Sequence, residues 1–230
     1  MRLLILTTET PHHIFFVQNL KKFNPFVISE ESMKIQEDFD HEFYQIRYNL
    51  ERKIWFKDTY PKLEKISKTY YTRNINDKDC IKEIDKFNPD ITICFGTRKL
   101  NKDLIKKFDN KIFNLHGGNP EEYRGLDSHM WSLYHNDLKG LVTCLHLLTE
   151  KLDCGPIVAK KQIKIKNIEN LEKLQIANTY LCINLVKDLL NNYNGKIRFY
   201  NQKKEGRYYS RIPSCLIEKC QKNFINLKNK

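Results

Sequence analysis

Short apolar runs recur along the chain with helix-patterned segments between them, and this rhythm constrains the fold more than any other feature. Leu3-Leu4-Ile5-Leu6, Phe26-Val27-Ile28, Ile91 to Phe95 and Ile112 to His116 are mainly apolar stretches of strand length. A strand buried on both faces has this appearance, whereas a half-solvated strand alternates. Between these runs, His12 to Phe23, Asp77 to Phe87 and Asn101 to Phe108 carry apolar residues at helical spacing. Thr10 is placed to cap the first helix and Pro11 suits its first turn, while Asn88-Pro89 ends the second. A β-α-β rhythm held over four strands predicts an α/β fold with an open, doubly wound, mostly parallel sheet.

The second half is punctuated differently. Gly117-Gly118-Asn119-Pro120 breaks the chain with consecutive turn-favouring residues. Asp127 is suited to cap a helix through Tyr134, Gly140 to Leu148 and Ile157 to Ile165 read as strands, and Lys151 to Pro156 reads as a loop. Glu169 to Tyr193 has the periodicity of a long amphipathic helix. The charged, aromatic stretch from residue 30 to 72 reads as a mostly helical excursion from the sheet. The expected organisation is one unit over residues 1–194 and a short C-terminal extension over 195–230. In that extension Phe199, Tyr200, Tyr208 and Tyr209 form an aromatic patch, either a dimer surface or a cover for the sheet.

Net charge is +12, from 40 Lys and Arg against 28 Asp and Glu. Clustered cations would point to nucleic acid, but here lysines are scattered beside Asp, Glu and Asn with no arm or stripe of one sign. The charge reads as a solvated surface with a modest pull on small anions, and no nucleic-acid partner is expected. The seven cysteines are an odd count with no Cys-x-x-Cys pair, which argues against a disulfide framework and a zinc site. A reducing compartment follows. Leu3 to Leu6 is too short for a signal-peptide core, and nothing approaches the roughly 20 apolar residues of a membrane span. A cytoplasmic protein with no membrane partner is expected.

Asn114 and His116 stand two apart at the end of a predicted strand, so their side chains leave the same face. Ligand sites of open parallel sheets form beyond the carboxyl ends of strands. An amide N–H and an imidazole there can donate to a developing oxyanion, and the imidazole can move protons. A nearby carboxylate would raise the imidazole's proton affinity and orient it; Asp153, in the loop ending Gly155-Pro156, is the candidate. By spacing alone Asn-x-His is a weak signal, since a histidine at a strand end is more often structural.

The wider string is more specific. Asn114-Leu115-His116 is followed by Pro120 and then Tyr123-Arg124-Gly125, by Gly140 through Thr143 and His146, and by Leu152-Asp153-Cys154-Gly155-Pro156. This series resembles the folate-dependent formyltransferases, whose signature is Asn-x-His, a proline, Tyr-Arg-Gly and a later Asp-x-Gly loop. Pro89-Asp90-Ile91 through Gly96 is similar to the strand and turn before that family's folate site. The resemblance covers about residues 85 to 165 well and the first strand loosely. It departs where Gly117-Gly118 replaces a common Pro-Ser and where Cys154 replaces a common Thr.

The resemblance implies transfer from N10-formyltetrahydrofolate, with no metal. Asn114 would hold the formyl oxygen, His116 would stabilise developing charge and shuttle protons, and Asp153 would orient His116 and a water. The pterin would lie against Phe95, Gly96, Thr97, Lys99 and Leu100 on one side and His146, Leu152 and Asp153 on the other. Tyr123, Arg124 and Gly125 would wall the acceptor side, with Arg124 equally placed to be a structural clamp. His12 and His13 either meet a pyrophosphate or cap and pack. His129, Trp131 and His135 read as a packed helix face.

Family members formylate initiator tRNA, glycinamide ribonucleotide or nucleotide-linked amino sugars. Residues 195–230 are too few for the tRNA enzyme's β-barrel, and Thr7 to Pro11 lacks the glycines of a phosphate loop. The deformylating member has an extra N-terminal domain, whereas the first strand here starts at residue 3. The expected acceptor is therefore a dTDP-linked 4-amino-4,6-dideoxy sugar for surface polysaccharide, used by a homodimer. Glycinamide ribonucleotide formylation and a catalytically silent folate- or nucleotide-binding module are the alternatives.

Overall fold

Strand β1 (Leu3–Thr8) is buried along its whole length. Its side chains alternate between two cores, with Leu3 and Ile5 in one and Leu4 and Leu6 in the other. That double burial is why the sequence here is a continuous apolar run. The computed structural model describes residues 1–32, 37–57 and 59–229. After β1 come α1 (Pro11–Asn19), β2 (Phe26–Glu30), α2 (Glu42–Phe56), β3 (Thr69–Thr72), α3 (Lys78–Phe87), β4 (Ile91–Phe95), α4 (Lys102–Lys107) and β5 (Ile112–Gly117). The rest is β6 (Tyr123–Gly125), α5 (Ser128–Tyr134), β7 (Val142–Leu147), β8 (Ile157–Gln162), α6 (Leu174–Asn191), β9 (Arg207–Tyr209) and α7 (Ile217–Lys228).

The main sheet has seven strands in the order β3-β2-β1-β4-β5-β7-β8. Pairings from β3 through β5 are parallel, and β7 and β8 close the other edge antiparallel. The chain runs outward from β1 to β3 and then resumes at β4 on the opposite side of β1. This reversal is the switch point at which α/β sheets open a crevice beyond their strand ends. Helices α1 and α6 cover one face through Phe16, Val17, Ile183 and Val186, while α3 and α4 cover the other through Cys80, Ile84 and Leu104. All seven cysteines are free thiols and five are buried, packing as small apolar groups. Among the described residues no helix is long and apolar enough to cross a membrane.

Two local expectations are altered. The stretch over 30–72 is helical in α2, but it returns to the sheet as β3, parallel to β2. Thr69-Tyr70-Tyr71-Thr72 has β-branched and aromatic residues, yet this edge strand is only half-buried, so no apolar run announces it. Residues 33–36 of that stretch lie outside the described residues. Thr10 and Asp127 do hold N-cap positions, but neither side chain caps its helix: the Thr10 hydroxyl meets His13 Nδ1 at 2.8 Å, and Asp127 Oδ2 accepts from the Ile212 N–H at 3.1 Å.

The chain after Gly195 folds back onto the same body. Strand β9 pairs with β6, and α7 packs Cys220 and Phe224 into a third core with Met130 and Leu133 of α5. Tyr209 lies over Tyr123 with ring centroids 5.5 Å apart, whereas Phe199, Tyr200 and Tyr208 stay exposed.

Glu30, buried at the end of β2, fixes the turn after β4. Its two carboxylate oxygens accept from the Ile75 and Arg98 backbone N–H groups, each at 2.8 Å. Removing the carboxylate strands backbone donors away from water, which costs about 1–3 kcal/mol per group. We expect Glu30→Ala to lose about 2–4 kcal/mol in urea denaturation; a loss inside the error of the experiment would contradict this placement.

Candidate active site

Beyond the carboxyl ends of β1, β4 and β5 lies a cleft of about 400 Å³. Asn114 and His116 reach it from β5, as alternate residues of one strand must. The antiparallel partner β7 sets His146 directly opposite Asn114. Asp153 closes the group from the loop between β7 and β8, where its backbone adopts the left-handed conformation (φ +54°).

These side chains converge on one carboxylate. Asn114 Nδ2 donates to Asp153 Oδ1 at 3.2 Å and lies 3.3 Å from His146 Nε2. His146 Nε2 is 3.4 Å from the same Oδ1, and His116 Nδ1 is 3.5 Å from Oδ2. The Gly125 N–H donates to Oδ2 at 2.8 Å. The far nitrogen of His116 donates to the Tyr123 carbonyl at 2.8 Å, which fixes a proton on Nε2 and turns Nδ1 toward Asp153. Asp153 is 5 % exposed, and burial alone would push its carboxyl up. The His116 imidazole, the hydrogen bond and field of His146, and the Gly125 amide outweigh that and hold it well below the usual carboxylate range.

The Asp153 loop is gripped from behind. Arg124 Nη1 donates to the Leu152 carbonyl at 3.1 Å and to Cys154 Sγ at 3.2 Å, its Nε donates to the Gly206 carbonyl at 2.6 Å, and Nη2 pairs with Glu205 at 2.7 Å. Gln202 donates to the carbonyls of Asp153 and Gly155 at 2.8 and 2.9 Å. Gly125 has φ +95°, and a Cβ there would lie 2.1 Å from the Tyr209 carbonyl, so only glycine lets β6 run this close to β9.

The expected residues thus divide. Asn114, His116, His146, Leu152, Asp153 and Gly125 line the cleft, as do Phe95, Gly96, Thr97, Lys99 and Leu100 of the turn after β4. Tyr123 and Arg124 do not: the Tyr123 hydroxyl donates to Asp137 at 3.0 Å, and Arg124 is the clamp just described. His12 lines the mouth with Nδ1 3.0 Å from Glu51 Oε2. His13 bonds to the Thr8 and Thr10 hydroxyls and packs against Gly96, where a Cβ would come within 2.4 Å of its ring. Burial, then His12 and Arg47, hold His13 well below the ordinary histidine value, so it packs as a neutral ring. His129 donates Nε2–H to the Val142 carbonyl at 2.8 Å, and burial pushes it down to about 4. The expected helix-face reading also meets Trp131, whose indole donates to the Ser210 carbonyl at 2.8 Å.

Arg47, Asp127, Gln175, Asn178 and Arg211 line the cleft without having been anticipated. Arg47 and Gln175 lie in charged or polar helical stretches like many others. Arg211 belongs to a segment whose return to the body depends on long-range pairing.

The charge states give two signed expectations. Asp153 has a depressed folded-state value, so its contribution is present at neutral pH and is lost only as pH falls below the ordinary carboxylate value of about 4. Asp153→Asn should lose about 2–3 kcal/mol at pH 7 in urea denaturation, with the gap to wild type narrowing below pH 4; a gap independent of pH would contradict an ionised Asp153. His129 is also depressed, to about 4, so wild type should lose roughly 3 kcal/mol through this residue between pH 6.5 and 4. His129→Gln should flatten that part of the pH profile, and an unchanged slope would count against a neutral His129.

Comparison with known proteins identifies the family. The model of the formyl transferase family matches residues 44–179, more than half of the chain. A methionyl-tRNA formyltransferase from Finegoldia magna is 29% identical over 135 residues, covering 58% of this chain and 42% of that protein. The bifunctional polymyxin resistance protein ArnA from Wigglesworthia glossinidia brevipalpis is 36% identical over 106 residues, covering 46% and 16%. The chain therefore spans less than half the length of these curated relatives. Among solved structures, the formyltransferase PseJ from Anoxybacillus kamchatkensis, in complex with UDP-4,6-dideoxy-4-formamido-L-AltNAc and tetrahydrofolate, has the same fold. The TM-score is 0.57 at 18% identity, over 94% of this chain and 97% of that one. With the family model matching more than half of the chain, Asn114, His116, His146 and Asp153 among the matched residues, the chain belongs to the formyl transferase family.

Proposed function

We propose that this chain transfers a formyl group from N10-formyltetrahydrofolate to the amino group of a nucleotide-linked 4-amino-4,6-dideoxy sugar, in surface-polysaccharide synthesis. The observation that carries the reading is the convergence of Asn114, His116 and His146 on the buried Asp153 carboxylate at one end of a cleft. The PseJ complex, of matching chain length and holding a 4-formamido sugar nucleotide, supports the acceptor. A homodimer in the cytoplasm belongs to the same reading.

The cleft suits a folate. Leu100, Ile105, Leu148 and Leu152 offer apolar walls for a flat ring, and Gly96 and Thr97 bring backbone close to it. The folate supplies an activated formyl carbon. For its part the protein must hold the formyl oxygen, keep the acceptor amine against the carbon and move protons away from it. Asn114 Nδ2 is turned toward Asp153 and His146 here, so donating to a formyl oxygen requires a turn about its terminal torsion, which its half-buried setting permits. His116 stands two residues on along the same face, its ring direction fixed by Tyr123 and Asp153. The His116 ring, held in this way, keeps its place as negative charge builds nearby, whereas Asn114 must turn before it donates.

The test is release of tetrahydrofolate from N10-formyltetrahydrofolate, followed spectrophotometrically. The acceptors are dTDP- and UDP-linked 4-amino-4,6-dideoxy sugars in the gluco and galacto forms, glycinamide ribonucleotide and methionyl-tRNA. We expect rapid release with one amino sugar only. Release with glycinamide ribonucleotide or methionyl-tRNA alone would overturn the acceptor and keep the reaction.

A further inference from the structure

Part of the cleft wall is built by α2 and by the segment after β9. Asp127 joins them: its Oδ2 accepts from the Ile212 N–H at 3.1 Å and from the Tyr44 hydroxyl at 3.4 Å. That staple brings two guanidinium groups to one rim. Arg47 lies one helical turn after Tyr44, with Cζ 5.3 Å from the Tyr44 ring, and Arg211 immediately precedes Ile212. Both line the cleft and both are half-buried. Burial and Asp127 push the Tyr44 hydroxyl up, while Arg47 and Arg211 pull it back.

The neighbouring carboxylates offset this charge only in part, Glu51 from behind Arg47 and Asp127 through an Oδ2 already engaged. Glu51 is 1 % exposed; its Oε2 takes His12 Nδ1 at 3.0 Å, and its Oε1 stands 3.5 Å from Arg47 Nε. Arg47 thus has an ion pair without a hydrogen bond at Nε, and its terminal nitrogens form no ion pair among the described residues. Asp127 is engaged as above, and Asp153 by its imidazoles. Arg211 has no ion-pair partner among the described residues, although it stands in the cleft wall. For Arg211, a half-buried guanidinium without an ion-pair partner is costly unless an anion completes it. Two planar forks on one rim match phosphate oxygens, which guanidinium groups take bidentately.

We propose that Arg47 and Arg211 form the subsite for the diphosphate of the acceptor, and so determine that this cleft selects a phosphorylated amine. The diphosphate rests on the sugar-nucleotide reading; the phosphate-binding rim does not. In this arrangement the acceptor enters with its anionic end against α2 and the segment after β9. Its amine is then directed toward Asn114 and His116, and the folate keeps the side bounded by Phe95 to Leu100.

The test is calorimetric titration of the intact protein with dTDP, UDP, thymidine, uridine and inorganic pyrophosphate, for wild type, Arg47→Gln and Arg211→Gln. Thermal melts show whether each variant is folded, and Arg47→Lys and Arg211→Lys serve where a Gln variant is not. Wild type should bind a nucleoside diphosphate at least about 10-fold more tightly than its nucleoside, and each Gln variant should lose about 10–100-fold of that affinity with nucleoside binding unchanged. Charge-retaining Lys variants should fall between. With a turned-over acceptor, KM should rise by a similar factor while kcat stays within about 3-fold. Diphosphate affinity unchanged in both folded Gln variants, or no binding of any diphosphate by wild type, would overturn the subsite even if amino sugars are formylated. Affinity lost in the variants while no sugar nucleotide is formylated would uphold the subsite and overturn the sugar as acceptor.

Discussion

The site depends on one buried carboxylate. Asp153 would be neutral in an apolar pocket, yet two imidazoles, an asparagine amide and the Gly125 N–H surround it and keep it ionised. The same contacts act in the other direction: a fixed negative charge gives the imidazoles and the amide a common point to face. Each polar group in such a cluster is satisfied only if the others are in place, so its geometry is set as a unit.

The supports of that carboxylate come from distant parts of the chain. The reversal of strand order at β1 opens the cleft, and the antiparallel return of β7 lays His146 across from Asn114. The loop carrying Asp153 is then held by Arg124 of β6 and by Gln202, Glu205 and Gly206 of the segment after Gly195. The C-terminal segment is in this sense part of the site, because its backbone and side chains hold the loop that presents the carboxylate. Arg211, farther along the same segment, stands in the cleft wall itself.

Much of this is legible in the amino-acid sequence, for physical reasons that also mark its limits. Strands β1, β2, β4 and β5 announce themselves because burial on both faces demands mainly apolar runs. Asn114 and His116 can be paired from spacing alone, since alternation along a strand is a local rule. Strand β3 is hidden because an edge strand needs no apolar run. Tyr123 is expected at the acceptor and Arg124 either there or as a clamp; Arg124 is the clamp, with partners more than 80 positions away, and Tyr123 serves the site through its carbonyl. The joint role of His146 was equally hidden, since it follows from the register of β5 with β7. Helix caps gave way at Thr10 and Asp127, where side chains found partners in space that outcompete the local N–H groups.

The central claim is that Asn114 and His116 act on the formyl oxygen from the end of β5. It is tested most directly by measuring transfer of a 13C-labelled formyl group in single turnovers of Asn114→Ala, with the affinity for a non-transferable folate measured on the same protein. Transfer should fall by at least about 100-fold while folate affinity stays within several-fold of wild type. Transfer at the wild-type rate would contradict it.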